Sequence, residues 1–527
     1  MPKTATIPCP KPAVAPLAPA DRAEQLQSEH EVTTTASVRK ELGQFFTPAS
    51  IARFMSGMLG PLPRRIRMLD PGAGVGILSA AFCERVATLR SPRIVEVHAY
   101  ETDRRVIDRL SETAAACGDI LQARGHSLDF RILKEDFVRS LGREPNGSGI
   151  FKGTGKFDVV VMNPPYFKLN KESEHARLVG EIVHGQPNIY ALFMWIGANA
   201  LADDGQMVAI TPRSWCSGPY FRRFREQIFE MASLEQMHLF ESRREAFEEA
   251  GVLQENVISA FRRRAQSRDV RLTTSRGVDF GHSGTTRTLP ASRVIDNSHG
   301  DHVVCLPTSD LEIMVTEAVE SWPDRFATTG LKVSTGPVVT FRATEHLRFD
   351  PSEGAPLFSV HNVRPFQTMW PVERRGKPVA LAVGDGSKKL LVDNSNYVLL
   401  RRISAKEEAR RLTASPIFAG QFKGRSLAFE NHLNYVYHSN RMLSKHEVVG
   451  IAAILNSRLL DIYFRTISGN TQVNATEIRS MPFPNLDTIT IVGRAVMRHL
   501  EGPATDIERA TLDALGINGD VRAQLTA

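Results

Sequence analysis

Cysteine is scarce in this chain, and what there is lies scattered. Five residues in 527 (Cys9, Cys83, Cys117, Cys216 and Cys305) form no CxxC pair and have no histidine at ligand spacing, which argues against a disulfide framework and a structural zinc. A reducing cytoplasm is therefore the expected compartment, and no metal is called for. No apolar run is long enough to span a bilayer, and the N-terminus lacks the apolar core of a signal peptide. Also missing are a GxGxxG dinucleotide loop and any helix-turn-helix or zinc module. Charge is only mildly unbalanced: 65 basic against 58 acidic residues leave a formal +7, which favours a polyanionic partner without identifying one.

The most informative stretch is Lys156 to Tyr166, KFDVVVMNPPY. Phe157 to Met162 reads as a buried parallel strand, and two consecutive prolines force it to end at Asn163-Pro164-Pro165-Tyr166. In open α/β sheets ligands bind at that edge. Asn163 can accept and donate, Pro164 presents a carbonyl, and Tyr166 offers a flat face. Together they suit a planar group with an exocyclic amine, whose two N–H bonds the Asn163 carboxamide and Pro164 carbonyl would accept. An ordinary strand exit closed by Pro-Pro is the competing reading at this point.

Upstream, Ile66 to Leu69 is a short strand ending in Asp70-Pro71-Gly72-Ala73-Gly74-Val75-Gly76, followed by a helical pattern from Ile77 to Leu89. Gly72, Gly74 and Gly76 let backbone approach a ligand beside a helix N-terminus, while Asp70 would repel a phosphate. A zwitterionic cofactor such as S-adenosylmethionine fits better, its ammonium approaching Asp70. The strand Ile94 to Tyr100 delivers Glu101, suited to ribose hydroxyls; Leu128 to Leu133 delivers Asp136 and Phe137, suited to an adenine amine and its ring. The alternative for each acid is a solvated turn or loop residue. Earlier, Gln44-Phe45-Phe46-Thr47-Pro48 places Thr47 as N-cap and Pro48 as first residue of a helix from Ala49 to Leu59, with Gln44 to Pro48 able to fold over a ligand.

After the NPPY segment, Asn188 to Asn199 reads as an amphipathic helix, Gly205 to Thr211 as a strand and Tyr220 to Met231 as a helix. Glu235 to Leu239 and Asn256 to Phe261 read as closing strands. Phe247, in the charged loop between them, is either a minor packing residue or a second stacking face. Composition turns basic and polar near Arg262 to Arg271, where a domain boundary is expected. Beyond it come short β-like runs, then helical patterns at Ala405 to Leu412 and His446 to Phe464. Arg374, Arg375, Lys388, Lys389, Arg401, Arg402, Arg410, Arg411, Lys423 and Arg425 are interleaved there with Phe366, Trp370, Phe422, Tyr435 and Tyr437, a composition suited to a groove gripping phosphates.

The ordered set GQFFTP, DPGAGVG, ETD, EDF and NPPY resembles the γ group of DNA adenine-N6 methyltransferases. VLQEN, SNYVLLRR, FENHLNYVY, LNSRLLDIYFR and GNTQVNATEIRSMPFP further resemble the PstI, BsuBI and XhoI-type modification methylases. The resemblance implies an α/β fold with a Rossmann-like S-adenosylmethionine-dependent catalytic domain at 37–265. The segment 1–36 before it reads as a flexible N-terminal extension, Pro- and Ala-rich to about residue 20 and turning helical from Ala20. A mixed α+β target-recognition domain would follow at 266–527. It puts Asn163, Pro164, Pro165 and Tyr166 on the target adenine, with Phe247 a further stacking partner. Gln44, Phe46, Thr47, Pro48, Asp70, Gly72, Gly74, Gly76, Glu101, Asp136 and Phe137 fall on cofactor positions. The implied partners are double-stranded DNA and a cognate restriction endonuclease on a separate chain, with the methylase acting as a monomer. Two rivals stand beside this: a protein-glutamine or ribosomal-RNA amino-methyltransferase, and a non-catalytic DNA-specificity protein.

Overall fold

The computed structural model describes residues 17–33, 47–141, 156–170, 172–178, 188–241, 255–280, 284–296, 301–404, 407–469 and 472–526. Its centre is a nine-stranded sheet with the order β3-β2-β1-β4-β5-β7-β6-β8-β9. The strands are β1 (Arg65–Pro71), β2 (Ile94–Tyr100), β3 (Ser127–Leu133), β4 (Phe157–Met162), β5 (Leu201–Pro212), β6 (Ser233–Phe240), β7 (Asn256–Arg262), β8 (Asp269–Ser275) and β9 (Thr286–Pro290). β1 and β4 run with little interruption through the core, as sequences buried on both faces must. β3 alternates between intermediate and exposed positions, because it is an edge strand.

Strands β1 to β5 pair in parallel, and their order reverses between β1 and β4. That reversal opens a crevice at the C-terminal strand ends. Leu69 pairs with Val160, so β1 and β4 each run two residues further before the glycine loop and Asn163 emerge side by side.

Several expectations change. Within the extension at 1–36, the helical pattern from Ala20 is the helix Pro19–Thr33, whose Ala20 and Ala23 join the core beside β1 while Leu26 is also buried, so the extension is docked rather than flexible there. The sheet does not stop at residue 265: β8 pairs with β6 and carries β9 beside it, because the polar sequence after Arg262 keeps Val270 and Leu272 for the core. The helix Ile189–Ala200 is buried almost all round rather than amphipathic. Residues 407–412 are not helical. The Arg411 and Leu412 amides donate to Asp461 Oδ1 and the Ala414 amide to Asn456 Oδ1, so side chains replace a helical ladder there. His446 to Phe464 divides into Lys445–Asn456 and Arg458–Ile467, with Ser457 capping the second helix.

The second half contains a four-stranded and a five-stranded sheet and closes on a helical layer. Lys445–Asn456 crosses Leu486–Met497 backbone to backbone: a Cβ on Gly450 would sit 2.0 Å from the Ile489 carbonyl, and one on Gly493 1.8 Å from that of His446. Among the described residues no helix is long and apolar enough to cross a membrane.

His238 on β6 gives the core a pH dependence. Its ring is buried among Phe54, Phe240 and Phe280 and bonded to Thr273 Oγ1 and Ser275 Oγ, and burial pulls its pKa from 6.5 down to about 4. The folded state thus refuses a proton that the unfolded chain accepts below 6.5. Stability is full above that value and is lost as pH falls toward 4. The imidazole should cost on the order of 2 kcal/mol between pH 7.5 and pH 5. Melting curves of wild type and His238→Gln at those two values check this: the variant should lose less between them, and an equal loss would assign the acid sensitivity elsewhere.

Candidate active site

A cleft of about 580 Å³ lies along the C-terminal edge of β3, β2, β1 and β4. The loop after each strand supplies part of its wall: Asp136 and Phe137, then Glu101, then Gly72 and Gly74, then Asn163 and Pro165. Thr47 joins them from the start of the helix Ala49–Gly57.

The glycine loop turns sharply, with φ of +76°, +57° and +85° at Gly72, Gly74 and Gly76. The Gly72 and Ala73 amides donate to the Tyr100 carbonyl at the end of β2. Gly76 does not line the cleft; a Cβ there would stand 2.7 Å from Leu110 Cδ1, so it sets the packing of the following helix. Asp70 is also off the cleft wall. It is fully buried, with its Oδ2 accepting from the Ser79 hydroxyl at 2.6 Å in the helix Ile77–Ala87 and its Oδ1 without a hydrogen-bond partner among the described residues, so it braces the helix after the loop from behind the wall. Burial pushes that carboxyl up to about 7, against the pull of Ser79 and with a smaller push from Glu101.

Glu101 is held by backbone: Oε2 accepts from the Gly74 amide at 2.7 Å, and Oε1 from the Thr102 and Asp103 amides. Burial raises its pKa, and these three bonds oppose the rise. Asp136 accepts from the Arg139 amide and pairs with His175 Nε2 at 2.9 Å. Burial pushes its carboxyl up, but the His175 bond and the Arg139 amide outweigh it and leave it below the usual range.

At the end of β4, the Asn163 carboxamide is gripped at both ends. Its Nδ2 donates to Thr47 Oγ1 at 2.9 Å, and its Oδ1 lies 2.6 Å from the Tyr166 hydroxyl. That hydroxyl is also 3.0 Å from the Ile210 carbonyl and has one proton to share between the two. Burial holds the phenol well above its ordinary range, so it remains a donor. Two expectations are corrected here. Thr47 is not the N-cap, because Pro48 occupies that position with extended backbone, and the Thr47 hydroxyl serves Asn163 instead. The Tyr166 ring is only 8% exposed, set edge-on to Tyr190, and does not line the cleft.

Pro48 and Pro164 also stand off the wall, whereas Gln44, Phe46 and Phe247 lie outside the described residues. Residues without a motif complete the wall: Gln27, Arg104, Arg105, Phe167, His175 and Phe193. Phe167, 37% exposed and next to NPPY, was the most accessible of these to sequence reasoning, since it continues the aromatic run. The basic residues of the second half also separate. Arg374, Arg375, Lys388, Lys389, Lys423 and Arg425 are exposed, whereas Arg411 is buried with its guanidinium over the Phe464 ring. Arg401 and Arg402 donate to the Val363 and Asn431 carbonyls.

Comparison with known proteins agrees with this arrangement. Residues 107–247 match the family model described as Eco57I restriction-modification methylase. The chain is 33% identical to the type II methyltransferase M.BsuBI of Bacillus subtilis over 470 residues, 88% of this chain and 91% of that protein. It is 30% identical to the type II methyltransferase M.PstI of Providencia stuartii over 467 residues, 88% of this chain and 91% of the relative. Among solved structures, the type IIL restriction-modification enzyme MmeI shares the fold with a TM-score of 0.51, 11% identity, and coverage of 95% of this chain and 75% of that one. The chain belongs to the type II restriction-modification methyltransferases of the M.BsuBI and M.PstI kind.

Proposed function

We propose that this enzyme methylates adenine N6 within a short duplex DNA sequence, using S-adenosylmethionine. The observation that carries the reading is the Asn163 carboxamide, fixed by Thr47 and Tyr166 on the wall of a cleft that also holds Glu101 and Asp136. The donor set suits this cofactor. Carboxylates stand where hydroxyls and an amine would donate, and the Phe137 and Phe193 rings flank them. Family membership favours DNA over the protein or ribosomal RNA rivals, and intact motifs speak against a non-catalytic protein.

On this reading Asp136 and Phe137 hold the adenine end of the cofactor, Glu101 its ribose, and the Gly72 to Gly74 backbone its amino-acid side. When bound there, S-adenosylmethionine would supply an electrophilic methyl group, with its thioether as the leaving group. The protein's own work is positioning. A target adenine is rotated out of the duplex, at a cost of a few kcal/mol of stacking that ring contacts in the pocket offset. The Asn163 Oδ1 would accept one N6 hydrogen and the Pro164 carbonyl, once a shift brings it to the wall it now stands off, the other, directing the lone pair toward the donated methyl group. The alkylated nitrogen then loses its extra proton to water, so no strong base is required. Tyr166 keeps Asn163 oriented until the base arrives, and stacking on its ring requires the side chain to leave its present seat.

Labelled methyl transfer to duplex DNA, with RNA and a glutamine-bearing protein as competing acceptors, tests the reading. Incorporation into adenine of the duplex alone is expected, and labelling of RNA or protein instead would overturn it. A separate endonuclease chain and action as a monomer belong to the same proposal. Lys388 and Lys389, exposed on the turn Asp385–Leu390, are read as phosphate-binding side chains. Replacing both with glutamate should weaken DNA binding and flatten its dependence on log salt by about 0.9 for each phosphate no longer neutralised. An unchanged salt slope would remove them from the interface.

A further inference from the structure

The helix Pro19–Thr33 has no part in any motif, yet it is pinned to the catalytic core at several points. The Ala20 amide donates to Glu84 Oε1 at 2.8 Å, the Ala49 amide to Glu24 Oε1 at 2.9 Å, and Arg22 pairs with Glu112. Its inward face repeats at helical spacing through Ala20, Ala23 and Leu26 to Gln27 and His30, all buried. Gln27 is the anomaly on that face. It is 8% exposed, it lines the cleft, and its Oε1 is buried with no hydrogen-bond partner among the described residues. A buried amide left so costs free energy unless something enters the cleft to meet it, and whichever way the amide is turned one polar atom faces in.

Its place in the cleft narrows what that something is. Gln27 lies about one turn beyond Glu24, which holds Ala49 two residues after Thr47, and its helix packs on Ile77–Ala87, which follows the glycine loop, and through Arg22 and Glu112 on Ile107–Ala123. It therefore stands at the glycine-loop end of the cleft. Asp136 and Phe137, following β3, stand at the other end with Glu101 between. Resting on the cofactor reading above, we infer that the Gln27 amide binds the amino-acid tail of S-adenosylmethionine. An amide is a matched partner for a zwitterion, because its oxygen accepts from the ammonium and its NH2 donates to the carboxylate. The N-terminal helix is thus a wall of the cofactor site.

Calorimetric titration of the full chain separates this from a packing role, with S-adenosylhomocysteine and with 5′-methylthioadenosine, which keeps the nucleoside and lacks the tail. Gln27→Leu and Gln27→Ala should each bind S-adenosylhomocysteine about tenfold more weakly, the worth of one charge-assisted hydrogen bond, and 5′-methylthioadenosine as wild type does. Equal weakening of both ligands would make Gln27 a packing residue and overturn the inference, as would unchanged binding of both. If wild type bound neither ligand, the cofactor reading itself would fail. Melting curves of the two variants show whether the helix is still docked.

Discussion

Asn163→Ala loses methyl transfer by about a thousandfold or more while binding S-adenosylhomocysteine as tightly as wild type. The magnitude follows from what the side chain does. One preorganised hydrogen-bonding group facing the reacting centre is worth about a hundred- to a thousandfold, and mispositioning of the attacking atom adds to that loss. The selectivity follows from geometry, because Asn163 sits after β4 whereas Glu101, Asp136 and the glycine loop follow β2, β3 and β1. Single-turnover methylation beside calorimetry checks both halves. A variant that kept near-normal turnover would remove Asn163 from the chemistry, and one that lost the cofactor would make it a scaffold residue. Thr47→Val should reproduce part of the loss, since Thr47 Oγ1 takes the Asn163 Nδ2 hydrogen bond.

Arg213→Ala destabilises the folded protein by about 3–5 kcal/mol, the cost of breaking a buried ion pair from one side. Arg213 follows β5, and its buried guanidinium donates to Glu255 Oε1 at 3.0 Å, just before β7. The other Nη donates to the Thr466 carbonyl at 2.6 Å and the Arg465 carbonyl at 3.1 Å, in the last turn of the helix Arg458–Ile467. One side chain therefore joins the catalytic sheet to the C-terminal half. Removing it takes the guanidinium partner from a buried carboxylate and a donor from two helix-end carbonyls together, although Thr466 keeps its bond from the Leu306 amide. Denaturant melts followed by probes in each half check this. The expected result is a lower midpoint; an unchanged midpoint would mean that other interactions hold the halves together.

The strands were legible in the sequence because each had a simple physical signature. Phe157 to Met162 is apolar and closed by two prolines, and Ile94 to Tyr100 ends in acid, so their limits matched those observed. The helix expected at Ala405 to Leu412 failed because periodicity does not register a buried Asp461 capturing the Arg411 and Leu412 amides. In the site, Gly72, Gly74, Glu101, Asp136, Phe137, Asn163 and Pro165, which follow strand ends, line the cleft, whereas Pro164 does not. The burial of Asp70 and Tyr166 did not follow from their motifs, since it depends on Ser79 and Ile210, which only the folded chain brings close. Gln27, Phe167 and His175 also escaped notice. Phe167 had a signal in its place directly after NPPY, whereas nothing in the local sequence of Gln27 and His175 distinguishes them from packing residues until a helix docks or a loop folds back.

The central claim is that the gripped carboxamide of Asn163 presents an adenine amine to a methyl donor. The most direct test is to map modified bases in the DNA of cells expressing this chain, with Asn163→Ala as control. The account predicts N6-methyladenine at one short recurring sequence and none in the control. Methylated cytosine at that sequence, or no modified base with the wild-type chain, would contradict it.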